Sequence, residues 1–236
     1  MRREHHRWYS PSLGRDMQLL LFGHAGARVL VFPSSMGSFF EWEDRGMIAA
    51  LGDQIEHGHV QLFCVDSVDS ESWYDKRKHP GARAFRHLQY DKYLTDEVLP
   101  FTRHNPNPFL ITTGASFGAY HALNFGFRHP DQVSRIIGMS GLYDIKEMTG
   151  GYSDESVYFQ NPCDYLVHEH DQGRLDALRR LDTILVIGRD DAALANNQYL
   201  SRLLGSKHIA HKLHVWNGWH HDWPHWQKMI RMYIGG

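Results

Sequence analysis

The sequence Gly-Ala-Ser-Phe-Gly at residues 114–118 constrains the fold of this chain more than any other segment. It lies between a short apolar run at residues 109–113 and a helical pattern of small and aromatic residues at 119–127. Glycines two positions before and after the serine let a strand turn sharply into a helix without a Cβ clash. The pattern predicts that Ser116 is a nucleophile, exposed at the N-terminus of a helix that favours negative charge. The alternative is a glycine-rich turn in which Ser116 only caps the helix.

Strand-like and helix-like segments alternate along the sequence. Continuously apolar runs are typical of strands covered on both faces, and segments with helical periodicity separate them. We predict strands at residues 17–22, 28–33, 60–66, 109–113, 132–139, 183–187 and 212–216. We predict helices at residues 44–54, 82–102, 119–127, 191–204 and 224–234. This order indicates the α/β class, with a mostly parallel central sheet and helices on both faces, in one domain spanning residues 1–236.

Two segments interrupt the alternation. Residues 67–80 form a polar stretch that follows neither the helical nor the strand period. Residues 147–180 contain the turn-forming Gly150, Gly151 and Pro162 among scattered aromatic residues. Ligands bind beyond the carboxyl ends of the strands in open α/β sheets. We therefore interpret residues 147–180 as a loop-and-helix excursion near an active site there, and not as a second domain.

Charge and hydropathy exclude several classes of function. The 25 Lys and Arg residues are interspersed with 27 Asp and Glu residues, for a formal net charge of −2. We expect no nucleic-acid partner, because that role requires a concentrated basic face. No segment approaches the roughly 18 apolar residues of a membrane helix, so no membrane span is expected. The basic residues 1–7 lack the apolar core of a secretory signal, and we expect a cytoplasmic protein.

Three histidines follow the last predicted strand, in the sequence Gly-Trp-His-His-Asp-Trp-Pro-His-Trp at residues 218–226. A neutral imidazole in this loop could accept the serine proton and return it to a leaving group. The candidates are His220, His221 and His225, and their spacing alone does not choose among them. We expect no metal, because no carboxylate is placed as in the zinc motif His-Glu-x-x-His.

The predicted strand at residues 183–187 ends in Gly-Arg-Asp-Asp. A carboxylate at this point would fix the tautomer of the imidazole and stabilise the imidazolium. We prefer Asp191, one step further into the loop. Asp190 remains an alternative, and it could instead cap the following helix. Asp144, after the preceding strand, is the third candidate.

The negative charge of an acyl-transfer transition state needs backbone N–H donors. One expected donor is the N–H of Phe117, directly after the predicted nucleophile. The other should come from the loop at residues 33–37, after the second predicted strand. Ser35 is preferred and Met36 is next, whereas Pro33 has no N–H. The alternative is that this loop is an ordinary strand-to-helix turn.

Several of these segments resemble one family. Residues 114–120, the sequence Tyr-Leu-Thr-Asp-Glu-Val-Leu-Pro at 93–100 and the sequence His-Asp-Trp-Pro-His-Trp at 221–226 carry the resemblance. They resemble the putative-esterase branch of the α/β-hydrolases, which includes esterase D (S-formylglutathione hydrolase), enterochelin esterases and the mycobacterial antigen 85 mycolyltransferases. In that branch the catalytic histidine precedes a small or acidic residue and then Trp. The resemblance therefore selects His221 and not His220.

The resemblance spans nearly the whole chain and implies an α/β-hydrolase fold with serine esterase activity. It implies that Ser116, His221 and Asp191 form a catalytic triad that cleaves a carboxylic ester through an acyl-enzyme without a cofactor. Residues 32–44 are also similar to the oxyanion loop of esterase-like members. Extracellular members carry signal sequences, and because we expect none here, a cell-wall mycolyltransferase role is disfavoured.

The motifs are specific for mechanism but not for substrate. We expect a small-molecule or acyl ester as the partner, and acyl transfer or thioester hydrolysis would use the same triad. A catalytically silent binding protein of the same fold and a metal-dependent hydrolase are alternatives of other classes. Residues 73–74 and the excursion at 147–180 would either shape the substrate pocket or pack over the sheet edge. Exposed aromatic residues would suit a substrate groove or a homodimer contact.

Overall fold

The computed structural model describes residues 1–235, which form a single eight-stranded sheet covered by helices. The strands are β1 Arg3–Ser10, β2 Arg15–Phe22, β3 Ala27–Phe32, β4 Val60–Val65, β5 Leu110–Ala115, β6 Arg135–Met139, β7 Asp182–Gly188 and β8 His211–Trp216. Their order across the sheet is β1-β2-β4-β3-β5-β6-β7-β8. β1 pairs antiparallel with β2, and β2 with β4, whereas the strands from β3 to β8 are mutually parallel. The predicted mostly parallel sheet is confirmed.

Strand β1, which forms the edge of the sheet, was not predicted from the sequence. It pairs along its whole length with β2, from Arg3 opposite Phe22 to Ser10 opposite Arg15. Its side chains are largely polar and alternate between exposed and half-buried. An edge strand is paired on one side only and commonly carries charged residues. It therefore lacks the apolar run by which buried strands are recognised.

The parallel strands bring distant loops to one edge of the sheet. Phe32 at the end of β3 is paired with Gly114 near the end of β5. Gly188 at the end of β7 is paired with Trp216 at the end of β8. The loops that leave these four strands emerge on the same side, where ligands bind in sheets of this type.

Twelve α-helical segments lie among residues 1–235. They are α1 Glu41–Asp44, α2 Met47–Ala50, α3 Gly52–Glu56, α4 Pro80–Tyr93, α5 Leu99–Thr102, α6 Phe117–Arg128, α7 Lys146–Thr149, α8 Glu155–Tyr158, α9 Pro162–Tyr165, α10 Gln172–Arg179, α11 Leu194–Ser206 and α12 Trp223–Tyr233. A 3₁₀ turn spans Asp69–Glu71, and a π-helical turn, Leu94–Val98, joins α4 to α5. None of these helices is both long enough and apolar enough to cross a membrane.

Two predicted helices differ from the observed ones. The helix expected at residues 44–54 is divided into α1, α2 and α3. Gly46, in a left-handed conformation with φ +71°, separates α1 from α2, and Leu51, with φ −100° and ψ 9°, separates α2 from α3. The helix expected at 82–102 continues from α4 to α5 through the π turn. Pro100 lies just beyond that turn and has no N–H to donate to the preceding turn, which accounts for a local change of helical pitch.

Each face of the sheet has its own apolar core. On one face, the side chains of β3 at Leu30 and Phe32 pack with residues of α4, α6, α10 and α11. On the other face, Val29 and Val31 pack with α1, α2, α3 and α12. This alternation within one strand follows from the two-residue period of side chains along a strand. The helices thus enclose the sheet on both faces, as predicted.

His87 in α4 is a buried histidine between two polar partners. Its Nδ1 lies 2.8 Å from Oε1 of Gln160, and its Nε2 lies 3.2 Å from Nδ1 of His121. Burial, with a further contribution from His121, lowers the pKa of His87 from 6.5 to about 3. The folded chain therefore holds this imidazole neutral at neutral pH.

We expect acid to destabilise the fold through His87. Between pH 6.5 and about 3 the unfolded chain binds a proton at His87 that the folded chain does not bind. The stability that depends on this residue is complete above pH 6.5 and decreases as the pH falls, by up to about 1.4 kcal/mol per pH unit. His87→Gln cannot titrate, so its free energy of unfolding should decrease less between about pH 7 and about pH 5. Urea denaturation measures both slopes, and equal slopes would contradict the prediction.

Candidate active site

Ser116 lies at the junction of β5 and α6 with φ 55° and ψ −122°. A Cβ added at Gly114 would lie 2.4 Å from the backbone of Gly118, and one added at Gly118 would lie 2.4 Å from the carbonyl oxygen of Pro33. Only glycine fits at both positions. The sharp turn that the sequence pattern predicts therefore follows from backbone contacts between β5, α6 and the loop after β3.

His221 lies between Ser116 and Asp191. Its Nε2 is 3.1 Å from Oγ of Ser116, and its Nδ1 is 2.8 Å from Oδ2 of Asp191. The other carboxylate oxygen of Asp191 accepts a hydrogen bond from the N–H of Ala193 at 2.9 Å. The side chain of Asp191 is 2% exposed and that of His221 is 27% exposed. In this arrangement Nδ1–H donates a hydrogen bond to the carboxylate and Nε2 accepts one from the serine hydroxyl.

Asp190 does not contact the imidazole of His221. Its side chain is exposed, and its backbone N–H donates to the carbonyl of Gly218 at 3.1 Å. A Cβ added at Gly188 would lie 2.0 Å from the carbonyl oxygen of Trp219. The histidine loop, residues 217–222 between β8 and α12, therefore crosses directly over the end of β7. Of the three aspartates left open by the sequence, Asp191 is the one whose carboxylate meets His221, whereas the carboxylate of Asp144 accepts a hydrogen bond from the side-chain amide of Asn161 at 2.9 Å.

The two neighbouring histidines pair with each other. Nδ1 of His220 lies 2.7 Å from Nδ1 of His225, and Nε2 of His220 contacts the carbonyl oxygen of Asn217. Burial and the nearby His220 lower the pKa of His225. Neither ring contacts Ser116. Among residues 1–235, no group of three or more His, Cys, Asp or Glu side chains could hold a metal ion.

Ser140 is a part of this site that the sequence analysis missed. It follows β6 with φ 49°, and it is almost fully buried. Its hydroxyl donates to the carbonyl oxygen of His220 at 3.2 Å and accepts from the indole N–H of Trp226 at 3.1 Å. It thereby ties the histidine loop to α12 and to the end of β6. A lone serine after a strand carries no sequence signal for such a contact.

Two carboxylates hold the loop after β3. Glu41 accepts hydrogen bonds from the backbone N–H and the hydroxyl of Ser34, both at 2.7 Å. Asp69 accepts a hydrogen bond from the backbone N–H of Met36 at 3.0 Å. Burial raises the pKa of Glu41, and the hydrogen bonds from Ser34 oppose that effect. The loop conformation is thus fixed on both sides of Ser35.

The N–H groups of Ser35 and Phe117 remain unused. Neither donates to an acceptor within residues 1–235. The N–H of Met36, the second choice from sequence, already donates to Asp69. Because β3 and β5 are adjacent parallel strands, both free N–H groups emerge at the same edge of the sheet. Two donors in this position could stabilise an oxyanion.

Aromatic and apolar side chains surround these polar groups. The ring of Tyr74 packs edge to face on Phe117 at 5.3 Å, and its hydroxyl donates to Oγ of Ser35 at 2.7 Å. Buried Ile145, just before α7, belongs to the same apolar cluster as Phe117. Trp219 stacks on His221 at 5.9 Å and is 54% exposed. Aromatic rings thus contact both Phe117, directly after Ser116, and His221.

Two surface cavities lie away from this arrangement. One, of about 730 Å³, is lined by residues that include His24, His104 and Asn105. The other, of about 490 Å³, lies between Arg128 and Arg174. The lining of neither includes Ser116, His221 or Asp191. The two cavities and the hydrogen bonds of His221 therefore mark different parts of the surface. We place the candidate active site at Ser116, His221 and Asp191, because these side chains have the chemistry for ester hydrolysis.

The sequence matches the family described as "Putative esterase" over residues 10–234. The chain belongs to this esterase family. It is a carboxylic ester hydrolase, and the resemblance noted in the sequence is confirmed. A comparison with curated proteins found no match.

Solved structures of other proteins share the fold of the chain. A ferulic acid esterase superposes with a TM-score of 0.80 at 18% identity, covering 99% of this chain and 96% of that one. An S-formylglutathione hydrolase from Agrobacterium tumefaciens superposes with a TM-score of 0.75 at 11% identity, covering 98% and 92%. MPT51 from Mycobacterium tuberculosis superposes with a TM-score of 0.69 at 16% identity, covering 100% and 97%. These similarities confirm the α/β-hydrolase fold.

Substitution of the two adjacent aspartates should separate their contributions to esterase activity. We expect Asp191→Asn to lower kcat by about 10³- to 10⁴-fold, because an amide stabilises the wrong imidazole tautomer. Asp190→Asn should leave kcat within about 3-fold of wild type, because an exposed side chain remote from the imidazole contributes little. Steady-state hydrolysis of p-nitrophenyl acetate measures both. A larger loss in Asp190→Asn than in Asp191→Asn would contradict this assignment.

Gly188 should be required for the position of the histidine loop. In Gly188→Ala the new Cβ collides with the carbonyl of Trp219, so the loop must move and kcat should fall about 100-fold. The matched control is Gly205→Ala in α11, where an added Cβ meets no atom within 4 Å. Activity of Gly188→Ala equal to that of this control would show that the loop tolerates the displacement.

Proposed function

We propose that the chain hydrolyses carboxylic esters through an acyl-enzyme intermediate on Ser116. The observation that carries the proposal is the hydrogen-bonded line from the Ser116 hydroxyl through His221 to Asp191. The positive φ of Ser116 supports it, since strained non-glycine residues persist chiefly where the surrounding structure serves a function. No cofactor takes part in the proposed reaction.

In the first half of the reaction, Oγ of Ser116 attacks the ester carbonyl carbon. His221 accepts the hydroxyl proton at Nε2, and Asp191 orients the ring and stabilises the imidazolium. The tetrahedral intermediate then collapses and the bond between the carbonyl carbon and the alcohol oxygen breaks. His221 donates its proton to that oxygen, the alcohol leaves, and an ester of Ser116 remains.

In the second half, water takes the place of the alcohol. His221 accepts a proton from water, and the resulting hydroxide equivalent attacks the acyl carbon. The bond to Oγ breaks, and the proton on His221 returns to Ser116. The partial exposure of His221 is consistent with access of water from the side of Trp219. The net reaction consumes one ester and one water and yields one acid and one alcohol.

The oxyanion of both tetrahedral intermediates would be held by the N–H groups of Phe117 and Ser35. Their lack of other acceptors supports this role, since a donor already engaged cannot respond to a developing charge. Removing one such donor costs about 3 kcal/mol of transition-state stabilisation in comparable sites. The N-terminus of α6 adds a partial positive charge at the same point.

A fluorophosphonate probe tests the proposed nucleophile. We expect the probe to label wild-type protein at Ser116, as located by mass spectrometry of the digested protein. Ser116→Ala should lose the label and should lower p-nitrophenyl acetate hydrolysis by about 10⁴-fold or more. Ser206→Ala serves as the control, because Ser206 is an exposed serine of α11 whose hydroxyl donates to the carbonyl oxygen of Leu203 and makes no hydrogen bond to Ser116, His221 or Asp191.

Two results would overturn the proposal. A folded wild-type protein that hydrolyses the ester but carries the label at another residue would remove Ser116 from the mechanism. Retention of activity in Ser116→Ala would do the same. Addition of a competing alcohol, with separation of the products, distinguishes hydrolysis from acyl transfer once the label is located.

A further inference from the structure

The two proposed oxyanion donors belong to segments that are far apart in the chain. The N–H of Ser35 lies in the loop after β3, whereas the N–H of Phe117 lies in the first turn of α6. Chain connectivity does not fix the distance between them. That distance must be set by contacts between the two segments, and a shift of about 1 Å at a catalytic group can cost about 100-fold in rate.

Asp69 makes such a contact to both segments. Its Oδ2 accepts the backbone N–H of Met36 at 3.0 Å, directly after Ser35. Its Oδ1 accepts the Nε2–H of His121 at 2.9 Å. His121 lies in α6 one helical turn after Phe117, and the two rings pack edge to face at 4.9 Å. A carboxylate–imidazole pair therefore joins the loop after β3 to the first turns of α6.

The pair is buried, and contacts with α4 fix the other side of the His121 ring. The side chains of Asp69 and His121 are each 1% exposed. Nδ1 of His121 faces Nε2 of His87 in α4 at 3.2 Å, and His87 in turn contacts Gln160 at 2.8 Å. The imidazole of His121 cannot rotate away without breaking this line. A buried carboxylate is retained in a fold only when its hydrogen bonds are satisfied, as they are here.

We propose that Asp69 and His121 are positioning residues that set the separation of the Ser35 and Phe117 N–H groups in the oxyanion hole. The inference rests on the proposed function, because only that mechanism requires the two N–H donors. Neither side chain touches the reacting atoms. Their effect reaches the reaction through the backbone of Met36 on one side and through α6 on the other. A donor pair that acts only on the transition state should affect kcat and leave KM nearly unchanged.

Two amide substitutions of His121 test the proposal. The amide nitrogen of Gln can occupy the place of Nε2 and still donate to Asp69, whereas that of Asn reaches only the place of Nδ1. We expect His121→Gln to keep kcat for p-nitrophenyl acetate within about 3-fold of wild type. His121→Asn should lower kcat by about 10- to 100-fold with KM within about 2-fold. A role in packing alone would lower the thermal midpoint of both variants, because both remove the ring, but would leave the kcat of the folded proteins at the wild-type value.

Stability is measured on the same samples. Tyr90→Phe in α4 is the matched control, since it keeps the ring and deletes one buried hydrogen bond, from the hydroxyl to the carbonyl oxygen of Asp66. That hydroxyl makes no hydrogen bond to Met36 or His121. It should lower the thermal midpoint while kcat stays at the wild-type value. If His121→Asn does not fold, Asp69→Ala, which removes both bonds from the other side, should show the same loss of kcat. Equal kcat in His121→Gln and His121→Asn, or wild-type kcat in Asp69→Ala, would overturn the proposal.

Failure of the proposed function gives a different pattern. In that case wild-type protein would not carry the fluorophosphonate label on Ser116. If wild type is labelled and active but the His121 variants do not differ, the nucleophile stands and only the positioning role of Asp69 and His121 is wrong.

Discussion

The close approach of three backbone segments at Ser116 is the constraint on which the rest of the site depends. Gly114 and Gly118 bring β5 and α6 together, and Gly118 also packs against the carbonyl of Pro33 after β3. A single Cβ at either glycine would occupy space that backbone atoms already fill. This contact gives Ser116 its positive φ, and it places the loop that carries Ser35 beside the first turn of α6. The geometry of the candidate oxyanion hole thus depends on the absence of a side chain at Gly114 and at Gly118.

Carboxylates stabilise the loops around this junction. Glu41 and Asp69 accept the backbone N–H groups of Ser34 and Met36, and Asp191 accepts hydrogen bonds from Ala193 and His221. Burial of carboxylates is costly unless hydrogen bonds replace water, and here each carboxylate uses its bonds to fix a segment. Burial raises the pKa of Glu41, and the nearby charge of Asp69 adds to that effect. The two bonds in the loop after β3 leave only the Ser35 N–H free between them.

Sequence patterns predicted those parts of the fold whose signals are local. The apolar run of β5, the glycines around Ser116 and the histidine segment after β8 are each visible within about ten residues, the span of a strand and its turn. β1 was missed because an edge strand has no apolar run. Ser140 was missed because its partners, His220 and Trp226, are more than 70 residues away and its own neighbourhood carries no motif.

The amino-acid sequence predicts the α/β class and the esterase family, both of which are confirmed, and it predicts a nucleophile, an acid and a base in that order along the chain. It left Asp190 and Asp191 unresolved, and on spacing alone it left three histidines open. Which carboxylate meets which ring follows from the packing of the loops in the folded chain. The histidine loop crosses over Gly188 and directs His221, not His220, between Ser116 and the buried Asp191. The direction of a side chain depends on how the loops after β7 and β8 pack against each other, and the local sequence of neither loop specifies the position of the other.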